Sequence, residues 1–157
     1  MKIRKARIKD YKEINRMLVD LHKYHSDNRP DIFDTKERFF TKKEFKEDLK
    51  KCNSYYIAEE DNKILGVVEF TYVKRNKKLY TRINAIYVKE KYRKNKVATN
   101  LVEKVIKHSK KKAYKYPDEY ENCVELSVYS FNKSALSFYE KMGFKERCRT
   151  LEIKKEV

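Results

Sequence analysis

The run from Tyr87 to Val105, YVKEKYRKNKVATNLVEKV, constrains this chain more than any other. It reads as the end of a strand, a short basic elbow and an amphipathic helix, because Val97, Leu101, Val102, Val105 and Ile106 recur at helical spacing. A strand that feeds a helix through a short loop points several unpaired backbone N–H groups at one place, and the helix dipole adds partial positive charge there. Phosphates settle at such points. Arg93, Lys94 and Lys96 add side-chain cations to the amides. An ordinary basic helix start has the same ingredients, so the elbow by itself leaves both readings open.

The elements around it follow from periodicity and punctuation. Lys2 to Ile8 reads as an opening strand; Asp10 and Glu13 are spaced as a capping box for a helix with Ile14, Met17, Leu18 and Leu21 on one stripe. That helix is expected to fade between His22 and His25, where the dipole of a helix end favours protonated imidazoles. Ser26 to Phe40 reads as a polar loop over a pocket, and Thr41 with Glu44 opens a helix carrying Phe45 and Leu49. Three strands then form a meander: Tyr55–Glu59, Ile64–Val73 and Leu79–Val88, joined by turns at Asp61–Lys63 and Lys74–Lys78. On the third, alternation puts Asn84, Ile86 and Val88 on one face and Ala85 and Tyr87 on the other. Lys110 to Glu121, with Pro117, reads as a loop after the elbow's helix, on which His108 invites the same structural reading as the first two histidines. Cys123 to Tyr129 is the next strand. Asn132 caps a helix with the stripe Ala135, Phe138, Tyr139 and Met142, Gly143 stops it, and Arg147 to Lys154 is the closing strand. The expected fold is α/β (α+β): one domain spanning residues 1–157, with a mixed, mostly antiparallel twisted sheet flanked by helices.

Charge and cysteine content narrow the function classes. The 157 residues carry a formal net charge of +16. That excess fits a lysine-rich solvated surface, attraction of an anionic ligand, or contact with nucleic acid. The lysines are spread along the sequence and not blocked, so nucleic acid is not the expected partner. No apolar run approaches ~18 residues, so no membrane span is expected. Cys52, Cys123 and Cys148 form no Cys-x-x-Cys pair and read as free thiols of a cytoplasmic protein.

Two motifs then point one way. Arg93-x-x-Lys96-x-Ala98 after Tyr87-Val88 resembles the pyrophosphate loop of the GNAT superfamily of N-acetyltransferases, whose pattern is Arg-x-x-Gly-x-Gly/Ala. NKSALSFYEKMGF, from Asn132 to Phe144, is similar to that superfamily's second signature. The resemblance implies a GNAT-like acyl-CoA N-acyltransferase fold and acetyl-CoA as acyl donor, with no metal; homodimers occur among such proteins. Arg93, Lys94, Asn95, Lys96, Val97, Ala98 and Thr99 would wrap the pyrophosphate. The main chain of Ile86 and Val88 would pair with the pantetheine arm, Asn132 and Ala135 would line the cofactor, and Tyr139 would face the thioester sulfur.

The chain departs from the family pattern twice. Lys96 stands in a glycine slot, where a side chain removes backbone freedom; its ammonium, facing a phosphate, would partly compensate. Asn84 and Ala85 stand where many relatives carry a basic carboxylate, which leaves Glu69 and Glu125 as strand carboxylates able to act through a water. A lysine amine is neutral in about one molecule in a thousand at pH 7.4, an α-amine in about a fifth to a third. The missing base therefore favours a low-pKa amine, or a proton relayed by water. The expected activity is acetyl transfer to a primary amine by direct attack, the amine being unnamed by the sequence. The rivals are a non-catalytic acyl-CoA sensor and a basic RNA- or ribosome-associated protein.

Overall fold

Strand order in the sheet follows the chain, β1-β2-β3-β4-β5, in a computed structural model that describes residues 1–50 and 54–154. β1 (Lys2–Lys5), β2 (Ser54–Glu60), β3 (Lys63–Arg75) and β4 (Lys78–Val88) pair antiparallel in succession; β5 (Tyr120–Leu126) pairs parallel with β4. Both hairpins turn on two residues. Asp61 and Asn62 have φ of 48° and 58°, and Asn76 and Lys77 have φ of 47° and 68°. These left-handed pairs match the twist of the flanking strands, so β3 and β4 run further into the second turn than the charged run Lys74–Lys78 leads one to expect.

Three helices cover this sheet: α1 (Tyr11–Asn28), α2 (Lys42–Lys50) and α3 (Val97–Lys115). Ile14, Met17 and Leu18 of α1, Phe40, and Phe45 of α2 bury against Tyr55, Ile57 and Val67. Tyr56 points to the other face, where it stacks on Phe70 and meets His108 of α3. These elements make up one compact unit, Met1–Ser127; a second unit, Val128–Val157, holds α4 (Lys133–Lys141).

Several boundaries differ from expectation. Asp10 makes no side-chain cap to α1. Its carboxylate instead accepts the Arg7 backbone N–H at 2.7 Å and two N–H groups of Arg4 at 2.8 and 3.0 Å. α1 continues past His25 to Asn28. The loop after it is pinned, with Asn15 Oδ1 accepting the Phe39 and Phe40 N–H groups and His22 Nε2 lying 2.7 Å from the Asp34 carbonyl. The Thr41–Glu44 capping box is present in both directions. α3 runs through Lys110–Lys115, since lysine and alanine favour helix and Pro117 comes only after its end. β5 accordingly starts at Tyr120 and stops at Leu126. Arg147–Lys154 forms no strand; two apolar residues among charges bury nothing, and Leu151 and Ile153 are exposed. Cys123 and Cys148 are free thiols, while Cys52 lies outside the described residues. Among the described residues no helix is long and apolar enough to cross a membrane.

Candidate active site

The elbow is built from a short 3₁₀ turn at Glu90–Tyr92 and the start of α3. Lys96 occupies the N-cap position with φ 58° and ψ 12°, and Lys94 has φ 65°. Both lysines are therefore left-handed, a conformation that costs an L-residue about 1–2 kcal/mol. The glycine slot keeps its glycine-like backbone although its side chain is lysine. No side chain caps α3, and its first turn holds no acidic residue. The N–H groups of Val97, Ala98 and Thr99 thus lack intrahelical acceptors, and Arg93, Lys94 and Lys96 are exposed around them.

α1 fixes where the elbow begins. Glu13 pairs with Lys89, and Asp20 Oδ2 accepts the Tyr87 hydroxyl at 3.2 Å. Arg93 folds back: its Nε donates to the Val88 carbonyl at 3.1 Å, and its guanidinium lies 6.0 Å from the Tyr87 ring centre. Gly66, opposite Val88, makes room for this strand. A Cβ there would sit 2.8 Å from the Tyr87 carbonyl oxygen.

β4 outruns its parallel neighbour. The last β4–β5 pair is Ile83 with Leu126, where β5 ends, while β4 continues to Val88. The β5-side edge of Asn84–Val88 is therefore unpaired in the sheet. Extended backbone with free N–H and C=O groups is a template for an amide-bearing chain. Ile86 and Val88 lie on this edge, which runs straight into the elbow.

A β-bulge opens the other end of that edge. Glu69 pairs with Ala85 and Phe70 with Ile83, so Asn84 is the extra residue. The bulge breaks the simple alternation expected for β4, setting both Asn84 and Ala85 opposite Glu69, and the Asn84 side chain helps to hold the Glu69 carboxyl down. Glu69 is buried, and burial pushes its carboxyl above the usual carboxylate range. Asp48 on α2 pushes the same way, and the neighbouring Asn84 and Tyr55 side chains only partly oppose the shift. The Tyr55 hydroxyl donates to Asp48 Oδ2 at 3.3 Å.

Glu125 has different surroundings. Arg75 Nη2 approaches it at 2.9 Å and Arg82 Nη2 at 2.7 Å. His25 stacks on Phe33 at 5.2 Å, and burial lowers its pKa, against the charged helix-end imidazole expected; the helix goes on past it.

In the second unit, Asn132 Oδ1 accepts the Ala135 N–H at 3.1 Å and so caps α4. Gly143, φ 89°, ends it: its N–H reaches the Glu140 carbonyl at 2.9 Å and the Phe144 N–H the Tyr139 carbonyl at 3.0 Å. This double closure brings the Phe144 ring edge-on to Tyr139, centres 5.6 Å apart. The second motif is thus a device that fixes Tyr139. Burial pushes its phenol up to about 12, and among the described residues its hydroxyl makes no hydrogen bond.

A family model described as "Acetyltransferase (GNAT) family" matches residues 18–144. The chain belongs to the GNAT acetyltransferase family. No curated protein matches it. Solved structures that it resembles include a mutant of a Bacillus halodurans protein at 22% identity and TM-score 0.86, covering 99% of this chain and 100% of that one. A possible acetyltransferase from Clostridium difficile is 21% identical with TM-score 0.68, covering 99% and 97%. An aminoglycoside acetyltransferase from an uncultured soil metagenome, in complex with sisomicin, is 12% identical with TM-score 0.68, covering 99% and 95%. At these identities the likeness establishes the fold.

For a GNAT protein the arrangement in the first unit is chemically coherent. The structure brings Asn84, Ile86, Val88 and Arg93–Thr99 into one continuous edge and elbow, with Glu69 beside the bulge. It places Glu125 in an arginine pair. Alternation alone misses the bulge that sets Asn84 opposite Glu69, and the signal for it is a lone Asn-Ala step inside an otherwise bulky strand. Tyr55 and Asp48, partners of that site, carry no motif at all.

Proposed function

We propose that this GNAT protein transfers an acetyl group from acetyl-CoA to a primary amine by direct attack, acting as a single cytoplasmic domain over residues 1–157. The observation that carries the reading is the open β4 edge: it runs from the bulge at Asn84, beside Glu69, to the uncapped start of α3. Four residue steps separate Asn84 from Val88, about 14 Å of extended backbone. The residues fit coenzyme A, with unpaired amides and cations for the pyrophosphate at Arg93–Thr99 and strand-like pairing for the arm at Ile86 and Val88. Asn132 and Ala135 are assigned to the cofactor from the family motif alone.

Acetyl-CoA supplies the acyl group as a thioester; the protein supplies position and protons. Glu69 is assigned as proton acceptor from the ammonium, directly or through a water, and Asn84 as the side chain that orients it. A carboxyl raised towards neutrality is a stronger base than an ordinary one. Glu125 is assigned to holding Arg75 and Arg82, and Tyr139 to donating to the departing sulfur.

The test is thiol release from acetyl-CoA with peptides bearing free N-termini, lysine peptides, polyamines and aminoglycosides. Turnover is expected with at least one class, fastest at low-pKa amines. Thermal stabilisation by acetyl-CoA without turnover on any amine would establish the sensor reading, and no stabilisation at all would remove the coenzyme site.

Lys96→Gly separates backbone from charge. Relief of the left-handed strain, less the extra entropy of an unfolded glycine, should stabilise the fold by about 0.5–1 kcal/mol in urea denaturation. Acetyl-CoA affinity should fall a few-fold with the ammonium gone. A large gain in affinity would show that the lysine obstructs and does not compensate.

A further inference from the structure

The lysines that look dispersed in the sequence converge on one face of α3. Lys104, Lys107, Lys111, Lys112 and Lys115 fall at i, i+3, i+7, i+8 and i+11, and Lys5 of β1 joins them. With Tyr56, His108 and Tyr116 they line a half-open cavity of about 460 Å³ that no acidic residue lines. None of the six lysines pairs with a carboxylate among the described residues. The cavity lies on the sheet face opposite Glu69: Tyr56, on that face, adjoins Tyr55, which points to the Glu69 side.

Aromatic side chains interleave with these cations. Lys104 lies 5.7 Å from the Tyr56 ring centre, Lys112 5.1 Å from Tyr120 and 5.6 Å from Tyr116, and Lys115 5.2 Å from Tyr116. His108 is held between two hydroxyls, Tyr56 at 3.0 Å from Nδ1 and Tyr72 at 2.6 Å from Nε2. Burial keeps its pKa low, and Lys5, Lys112, Lys104 and Lys111 lower it further. An unpaired cationic cluster is self-repulsive, and a polyanion relieves that repulsion.

We infer that this groove binds a single-stranded nucleic-acid segment, its phosphates tracking the lysine stripe and a base stacking at the Tyr116 end. From Lys104 to Lys115 the stripe extends eleven residue steps along the helix, about 16 Å, with one or two cations per turn. A linear polyanion can follow such a row, and single strands are held by a basic groove with aromatic platforms. An acidic protein is a poorer fit, since the lining offers no aliphatic side chain to bury at an interface core. Spacing along the chain hides the face these lysines share, which is why nucleic acid is not the partner expected from the sequence. It is independent of the acetyl-transfer reading.

The test is fluorescence anisotropy of the full chain with labelled ten-nucleotide oligouridylate and oligothymidylate across a salt series. The variant replaces the exposed Lys104, Lys107, Lys111 and Lys115 with Gln; a control replaces Lys42, Lys43 and Lys46 on α2. Binding should show a log–log salt slope that the groove variant reduces by about 3, at about 0.7 for each phosphate no longer neutralised. Affinity should fall more than tenfold at low salt, and the control should change each by far less. Retained thiol release or an unchanged thermal midpoint shows that the variant is folded. In the wild type, the His108 imidazole pKa followed by NMR should rise on binding, because the phosphates offset the lysine field. Tighter binding of one oligonucleotide identifies RNA or DNA as the source. No binding at low salt, equal losses in control and groove variants, or an unmoved His108 titration would each overturn the inference.

Discussion

Glu69→Gln should lower kcat/KM for the amine acceptor by about 10²–10³-fold at pH 7 while raising the thermal midpoint at the same pH. The two effects have one cause. Burial of Glu69 raises its carboxyl pKa in the folded protein, so the ionised form that the proposed base role needs is the form the fold resists. A raised pKa contributes stability that is complete below the unfolded value, about pH 4, and is lost as pH rises through the folded value. Wild type and Gln variant should therefore be nearly equal in stability near pH 4 and diverge in favour of Gln towards neutrality. Gln keeps the shape and can still engage Asn84 and Tyr55. The acid limb of the wild-type pH–rate profile should sit above the ordinary carboxylate range and flatten in the variant. Loss of turnover with no stability gain would make Glu69 a structural partner only, and unchanged turnover would leave the ammonium to lose its proton to solvent.

What is legible in the sequence, and what is not, divides by the range of the interaction that decides it. The elbow, the Asn132 cap and the Gly143 stop depend on residues within a turn of one another, and their side chains announce them. The sheet with its helices follows from periodicity for the same reason. Alternation fails at Asn84 because a bulge resets it, and nothing within β4 alone fixes where β3 will slip. The pairing of Glu69 with Asn84 and Tyr55 joins three strands, so the sequence names Glu69 only as one of two carboxylates. Helix ends escape the sequence where lysine runs look like loops; Lys110–Lys115 reads as a charged surface stretch, yet each of its lysines is a competent helix former. Glu125 shows the converse. An isolated acid in a strand gives no hint of Arg75 and Arg82, which lie about fifty and forty residues away in the chain.

Tyr139→Phe should cut kcat by about 10²-fold, the usual loss when one donor to developing negative charge is removed, with acetyl-CoA affinity changed less than about threefold. The fold has little to lose. The ring that packs on Phe144 is retained, and among the described residues the hydroxyl bonds to nothing that would be stranded. At a pKa of about 12 the phenol stays protonated throughout the working range, so no basic limb below about pH 11 should arise from it. The same value limits what it does. A thiol titrates near ~8.5, so full proton transfer from this phenol to the thiolate is uphill by about 5 kcal/mol. In the role proposed for it, Tyr139 would be a hydrogen-bond donor that shares its proton with the departing sulfur and keeps it, and the thiolate would leave to be protonated by solvent. A solvent isotope effect near unity on the leaving step would accord with that division. An unchanged kcat, or a loss seen equally in acetyl-CoA affinity, would return Tyr139 to the role its burial alone would assign, a ring that helps α4 pack.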